Sequence, residues 1–327
     1  MMRRRWLVAA GCAVALGLPL RAAAQQAGRM YRLGWLSTGA SRSESYNLAF
    51  FERLRELGFS EGRNLVVEHR NAEGQVERLP ELARELARLK CDIYMAPGSE
   101  VSLVAMKQAT LDQPIIIAAN DYDPVATGHV ASLARPGGRI TGVYQLQEEI
   151  SAKRLELIKE LLPKARKVGV LADTASLRQL ALVRDAAKAL GLELLLHEFK
   201  TAPYDYEAAF AAFARGKVDA VLPLGSGLFV PARRRIPELA LQHRLPGMFN
   251  NALWAEAGGL ASYGVDFPAA YRRAADMTAQ VLNGTQPASL PVQQATVIEM
   301  VVNLRTARAL GVTLPQGIVL RANRVIE

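Results

Sequence analysis

Cys91-Asp-Ile-Tyr-Met-Ala-Pro-Gly-Ser99 returns 127 residues later as Val218-Asp-Ala-Val-Leu-Pro-Leu-Gly-Ser226. Each stretch is a short apolar run that opens after an acid and closes on Gly-Ser, which reads as a buried strand followed by a turn. Two more pairs lie in the same order. Arg32-Leu-Gly-Trp-Leu-Ser37 is echoed by Lys167-Val-Gly-Val-Leu-Ala-Asp173, and Leu65-Val-Val-Glu-His69 by Leu192-Glu-Leu-Leu-Leu-His-Glu198. The offsets are about 135 and 128 residues, so order and spacing are kept. Two similar lobes are the economical explanation. Ser132-Leu-Ala-Arg-Pro-Gly-Gly138 is the turn-rich stretch where the chain would leave the first.

Between the strands lie helical patterns. Leu48, Phe51, Leu54 and Leu57 form a stripe at helical spacing over 43–57, ended by Gly58. Leu79, Leu82, Leu86 and Leu89 do the same over 76–89. A third helix is expected over 100–110, then a strand at Pro114-Ile-Ile-Ile-Ala-Ala119. Apolar strands alternating with amphipathic helices predict an α/β protein with parallel sheets covered on both faces.

The first residues carry a different signal. Arg3, Arg4 and Arg5 precede an apolar run from Trp6 to Leu20, and Ala22-Ala-Ala24 follows. A basic start, an apolar stretch and small residues, in that order, predict an export signal cut near Ala24. Its 15 apolar residues fall short of the roughly 20 that a span needs. Arg4-Arg-Trp-Leu7 leaves the twin-arginine route open, whereas Ala9-Ala-Gly-Cys12 is a poor lipid-attachment motif. Cleavage lowers the formal net charge from +9 to +5 and leaves Cys91 as the only cysteine, so an internal disulfide and a multi-thiolate metal site are excluded. The remaining basic residues are spread out. The densest group, Arg233-Arg-Arg235, falls in a predicted helix and reads as a solvated face, so nucleic acid is not an expected partner.

Ligands of parallel sheets bind beyond the carboxyl ends of the strands. In the first half these ends offer Ser37, Thr38, Ser99, Glu100, Asp121, Tyr122 and Asp123. In the second they offer Asp173, Ser226 and Asn250. Residues of these types also cap the helices that follow, and the two roles are compatible, because free N–H groups at a helix start bind anions. Asp121 and Asp123 are close enough to act as a pair of carboxylates. Neither a Gly-x-Ser-x-Gly elbow, a phosphate-binding Gly-rich loop nor a dinucleotide fingerprint occurs, and His69, His129, His197 and His243 form no metal-like spacing. No catalysis, cofactor or metal is expected.

Several stretches together resemble a known family. They are Leu54-Arg-Glu-Leu-Gly-Phe-Ser-Glu-Gly-Arg-Asn64, Glu77-Arg-Leu-Pro-Glu-Leu-Ala83, Asp123-Pro-Val-Ala-Thr-Gly-His-Val-Ala-Ser-Leu-Ala-Arg-Pro-Gly-Gly138, Ala255-Glu-Ala-Gly-Gly-Leu-Ala-Ser-Tyr-Gly264 and Val302-Asn-Leu-Arg-Thr-Ala-Arg-Ala-Leu-Gly311. They are similar to the periplasmic substrate-binding proteins of bacterial ABC transporters, the family that includes tryptophan- and tyrosine-type binders. The resemblance implies a type I periplasmic-binding fold, with two Rossmann-like lobes joined by three crossing segments and closing over a small ligand. It implies lobes of 30–142 plus about 265–290, and 143–262 plus about 291–327. The hinge is then expected near 141–143, 262–264 and 291–296. By family position Tyr263 joins the site. The polar inventory, rather than the resemblance, suits an amino acid or a related carboxylate or amine, its ammonium on Asp121 or Asp123. The implied partner is a membrane permease with a separate ATPase, and the protein itself is expected to be a periplasmic monomer without stable membrane insertion.

Two features depart from many relatives. Gly98-Ser-Glu-Val101 puts a carboxylate at a helix start, where it competes with an anionic ligand or simply pairs with the helix dipole. Asn120-Asp-Tyr-Asp123 is bulkier and more acidic, and Tyr122 either stacks on a ligand ring or packs in the core. A periplasmic ligand sensor and a two-lobed α/β enzyme remain as alternatives. A transcription regulator of the same fold would need a DNA-binding helical motif where the export signal stands.

Overall fold

The computed structural model describes residues 28–120, 122–145, 148–174, 176–201 and 203–327. The expected export signal and Asp121 lie outside the described residues.

Five strands of the first lobe follow one another in the chain: β1 (Tyr31–Ser37), β2 (Leu65–Asn71), β3 (Ile93–Gly98), β4 (Ile115–Asn120) and β5 (Ile140–Gln145). A short β11 (Gln293–Gln294) joins them from far downstream, giving the order β11-β5-β4-β3-β1-β2 with every pair parallel. The middle strands β3 and β4 bury nearly every residue, as a sheet covered on both faces requires, whereas edge strand β2 buries only Leu65. Helices α1 (Ser45–Glu56), α2 (Leu79–Arg88) and α3 (Glu100–Ala109) fill the crossovers. Leu79, Leu82, Ala83 and Leu86 of α2 pack with Leu103 and Met106 of α3 on one face. On the other, Trp35 meets Phe50 edge-on at 5.0 Å, and a later helix, α9 (Phe267–Leu282), adds Tyr271, Ala274 and Ala275.

The second lobe repeats the arrangement. Strands β6 (Lys167–Asp173), β7 (Glu193–Phe199) and β8 (Ala220–Pro223) pair in the order β7-β6-β8, the counterpart of β2-β1-β3. The echo in the sequence is therefore a structural repeat. A parallel bridge between Val221 and Gly247 continues the sheet into β9 (Met248–Phe249), β10 (Ala261–Val265), β12 (Ile298–Asn303) and β13 (Arg324–Ile326). Only β10 and β12 are antiparallel. Helices α4 (Glu148–Leu161), α5 (Leu177–Leu190), α6 (Tyr206–Arg215), α7 (Arg235–Gln242), α8 (Ala252–Glu256), α10 (Leu304–Leu310) and α11 (Gln316–Arg321) complete this lobe. No described helix is long and apolar enough to cross a membrane.

The chain passes between the sheets three times, a few residues away from where it was expected to. β5 stays in register with β4 through Gln145, so the chain has not left the first sheet at 141–143. β10 stays paired with β12 through Val265, so the second passage is at Asp266 rather than 262–264. β11 belongs to the first sheet and β12 to the second, so the third is at 295–297, and 291–294 belong to the first lobe. In each case ladder hydrogen bonds hold the strand to its own sheet past the position that the resemblance implies. Two glycines are required beside these passages. A Cβ on Gly142, whose φ is +143°, would lie 2.1 Å from the Ile117 carbonyl oxygen, and one on Gly264 would lie 1.8 Å from that of Asn250.

Candidate functional site

The carboxyl ends of both sheets face one another across a closed cleft. Pro231 of the second lobe sits over Gly39 and Gly74 of the first, its Cγ 3.7 and 3.4 Å from where their Cβ atoms would be. Gly227 touches Ser99. A gap of about 20 Å³ is left between Thr38, Gly39 and Gly74 on one side and Gly227, Leu228 and Pro231 on the other.

In the first lobe a row of polar groups ends three neighbouring strands. Ser99 follows β3, Tyr122 follows β4, and Gln145 closes β5. Ser99 Oγ, Tyr122 Oη and Gln145 Oε1 are buried and have no hydrogen-bond partner among the described residues. Gln145 Nε2 donates to Asn120 Oδ1 at 2.7 Å, which fixes the amide. Ser99 stands at the N-cap position of α3, but its hydroxyl caps nothing. Tyr122 packs in the core with its ring edge-on to His129 at 6.1 Å. Burial pushes its phenol far above the usual range, and the Glu100 charge adds to this.

Other candidates are tied up elsewhere. Ser37 Oγ donates to the Ala40 carbonyl and lies 3.1 Å from His69 Nε2. Burial, with Arg42 and Arg70 nearby, pushes the His69 imidazole down to about 4, so it is neutral at pH 7. The Thr38 carbonyl accepts from Gly74 N–H at 2.6 Å. Glu100 Oε1 accepts from His129 Nε2 at 2.7 Å, and Lys107 Nζ lies 3.0 Å from the other ring nitrogen, so this carboxylate belongs to a network within its own lobe. Asp123 Oδ1 accepts from the N–H groups of Val125 (2.8 Å) and Ala126 (3.2 Å), which commits one of its oxygens to the turn.

In the second lobe Asp173 is fully buried. Its Oδ2 accepts from Ser226 Oγ at 2.6 Å and its Oδ1 from Ser176 N–H at 3.0 Å. Both of these donors are neutral. Burial, with Asp173 beside it, pushes the Tyr204 phenol up to about 12. Ser226 also accepts from Leu228 N–H, capping the 3₁₀ turn Gly227–Ala232 that carries Pro231. Gln179 of α5 braces the same loop, donating to the Gly225 carbonyl and accepting from Gly225 N–H. Asn250 is buried, with Oδ1 3.4 Å from Asn251 Nδ2. The Tyr263 carbonyl accepts from Arg154 Nε at 2.8 Å, and its ring packs against the second core.

Three features of the site escaped the sequence. Gln145 and Gln179 look like ordinary polar residues at an element end, and only tertiary pairing gives them a place. Arg233, read as part of a solvated face, is instead half-buried: it precedes α7 and forms two hydrogen bonds with Glu44 of the first lobe.

Two α/β lobes, threaded three times and closing strand end to strand end, define a type I periplasmic-binding protein. Residues 40–326 match the profile of the family described as ABC transporter substrate binding protein, and the chain belongs to that family. It is 29% identical over 265 residues to a tyrosine-binding protein of Clostridioides difficile (strain R20291), covering 80% of this chain and 75% of that one. An ABC domain from Streptococcus pneumonia in complex with L-Trp superposes with a TM-score of 0.79 at 24% identity, covering 91% of this chain and all of that one. The ligand-free, open structure of a Clostridium difficile substrate-binding protein with adhesive properties is also 24% identical, covering 91% and 99%, but its TM-score is 0.66.

Proposed function

We propose that this protein is exported to the periplasm with residues 1–24 removed, and that it captures one small molecule between its lobes and hands it to a membrane permease powered by a separate ATPase. It works as a monomer, and no bond of the ligand is made or broken. The observation that carries the binding role is the row of buried polar groups on Ser99, Tyr122 and Gln145 that have no hydrogen-bond partner among the described residues. Such groups are costly inside a protein unless something hydrogen-bonds to them. They lie where parallel sheets place their ligands.

The ligand class follows from the chemistry of the two halves. Hydroxyls of Ser99 and Tyr122 and the free N–H groups at the start of α3 suit a carboxylate. The carboxylates of Asp121 and Asp123 suit an ammonium. An α-amino acid, aromatic or not, supplies both. Both oxygens of Asp173 already accept hydrogen bonds within its own lobe, whereas the turn takes only Oδ1 of Asp123, so the ammonium is assigned to Asp121 and Asp123. The names of the tyrosine-binding relative and of the L-Trp complex support this reading.

The test is a thermal-shift screen of the purified protein with L-tyrosine, L-tryptophan, aliphatic amino acids, benzoate, sugars and polyamines. A ligand at 100 times its Kd adds about 2.7 kcal/mol. We expect a saturable shift with an amino acid, reduced by both Ser99→Ala and Gln145→Ala. A folded protein that shifts with none of them, or only with sugars or polyamines, overturns the assignment.

A further inference from the structure

Glu44 stands at the N-cap position of α1, where an acidic side chain ordinarily turns back onto its own helix. Here it does not, and no side chain caps α1. Instead Glu44 reaches across the cleft. Arg233 Nη1 donates to its Oε2 at 2.7 Å and Nη2 to its Oε1 at 3.0 Å. The two side chains are only 18% and 20% exposed. A two-pronged, largely buried pair of this kind is stronger than an ordinary surface ion pair.

The pair has firm mounts on both sides. Arg233 ends the 3₁₀ turn whose Pro231 rests on Gly39 and Gly74. Gly74 has φ +84° and no Cβ, which lets the proline come close. Next to Glu44, Tyr46 packs edge-on against Phe267 and Tyr271, anchoring the start of α1 in the first core. Tyr46 and Glu256 are the other titratable groups near Arg233. Any rotation that parts the lobes parts Glu44 from Arg233, since they belong to different lobes and lie 189 residues apart.

We propose that Glu44 and Arg233 form a clasp that holds the lobes closed before any ligand arrives and so sets how tightly a ligand is bound. They are positioning residues: they act on the lobe equilibrium and not on the ligand. A closed form already populated removes part of the conformational cost of binding, whatever the ligand. Because the attraction is between charges, it weakens in salt. Only the affinity arm of the test rests on the proposed binding function.

The decisive experiment is small-angle X-ray scattering of the ligand-free protein, with Glu44→Gln, Arg233→Gln and the double variant, each checked for fold by circular dichroism. At low ionic strength the wild type should be compact and both single variants expanded, with the double variant no more expanded than either. Salt at about 0.5 M should expand the wild type to the variants' size. With L-tyrosine as probe, Glu44→Gln should weaken binding about tenfold. A Glu44→Gln profile that coincides with the wild type at low salt overturns the clasp, as does a double variant that expands by the sum of the singles. Failure of L-tyrosine to bind counts against the amino-acid reading; scattering alone then decides the clasp.

Discussion

Protonating His69 is unfavourable in the folded state, because the ring is half-buried and Arg42 and Arg70 stand nearby. Its folded pKa of about 4 lies below the ordinary 6.5. Between those values the unfolded chain binds a proton that the folded one refuses, so stability rises with pH there. The contribution is complete above about 6.5 and is lost as pH falls toward 4. Urea midpoints measured across that window should therefore fall with acidity, and His69→Gln should flatten this part of the slope; an unchanged slope counts against the assignment. Ser226→Ala removes a donor to buried Asp173 and the acceptor for Leu228 N–H. It should cost about 1–3 kcal/mol of unfolding free energy in urea denaturation. The sequence shows these residues as strand ends, because the apolar runs stop there. It does not show their partners: Ser37 finds His69 32 residues away, and Asp173 finds Ser226 53 residues away.

At the scale of elements, local pattern places β6 to the residue and β1, β2, β3, β4 and β7 within two, while β5 and β9 to β13 carry no such signal. Local pattern dictates the former because each is a short apolar run bounded by turn residues. β8 is shorter than its pattern, although Leu224 N–H still donates to the Leu171 carbonyl just past Pro223. The crossings were misplaced for the opposite reason. They were placed by resemblance, and pairing between strands far apart in sequence, which no local pattern shows, holds β5 and β10 to their sheets past those positions. Gly142 and Gly264 are there to let backbones meet, so Gly142→Ala and Gly264→Ala should each destabilise by several kcal/mol or prevent folding. A thermal midpoint within a degree of the wild type for either would show that the strands shift easily.

For the whole molecule, the repeat makes the two-lobed plan legible, but whether the lobes stand open or closed is decided by contacts between residues far apart in sequence. The closed geometry makes a direct prediction. A Cβ on Gly227 would lie 3.6 Å from that of Ser99, within the range a disulfide accepts. Ser99→Cys with Gly227→Cys should therefore oxidise readily, which thiol titration reads as two lost thiols and scattering as a fixed compact form. Cys91 should not interfere, since burial pushes its thiol up to about 11. Persistence of both free thiols under mild oxidant would mean that the lobes seldom meet as described.

The threading that gives the molecule its hinge also sets a schedule for its birth. The first lobe is not one stretch of chain: α9 and β11 complete a sheet whose five other strands end at Gln145. Synthesis must add about 120 residues before α9 exists, which at 5–20 residues per second takes about 6–24 s. Until then the face around Trp35 has only α1, with Tyr46, Phe50 and Leu54, as cover. For a chain exported as proposed, this delay is an advantage. Where the export route admits only unfolded chain, a lobe that cannot finish early does not block it, and the segment that carries α9 and β11 is the one that permits both lobes to set.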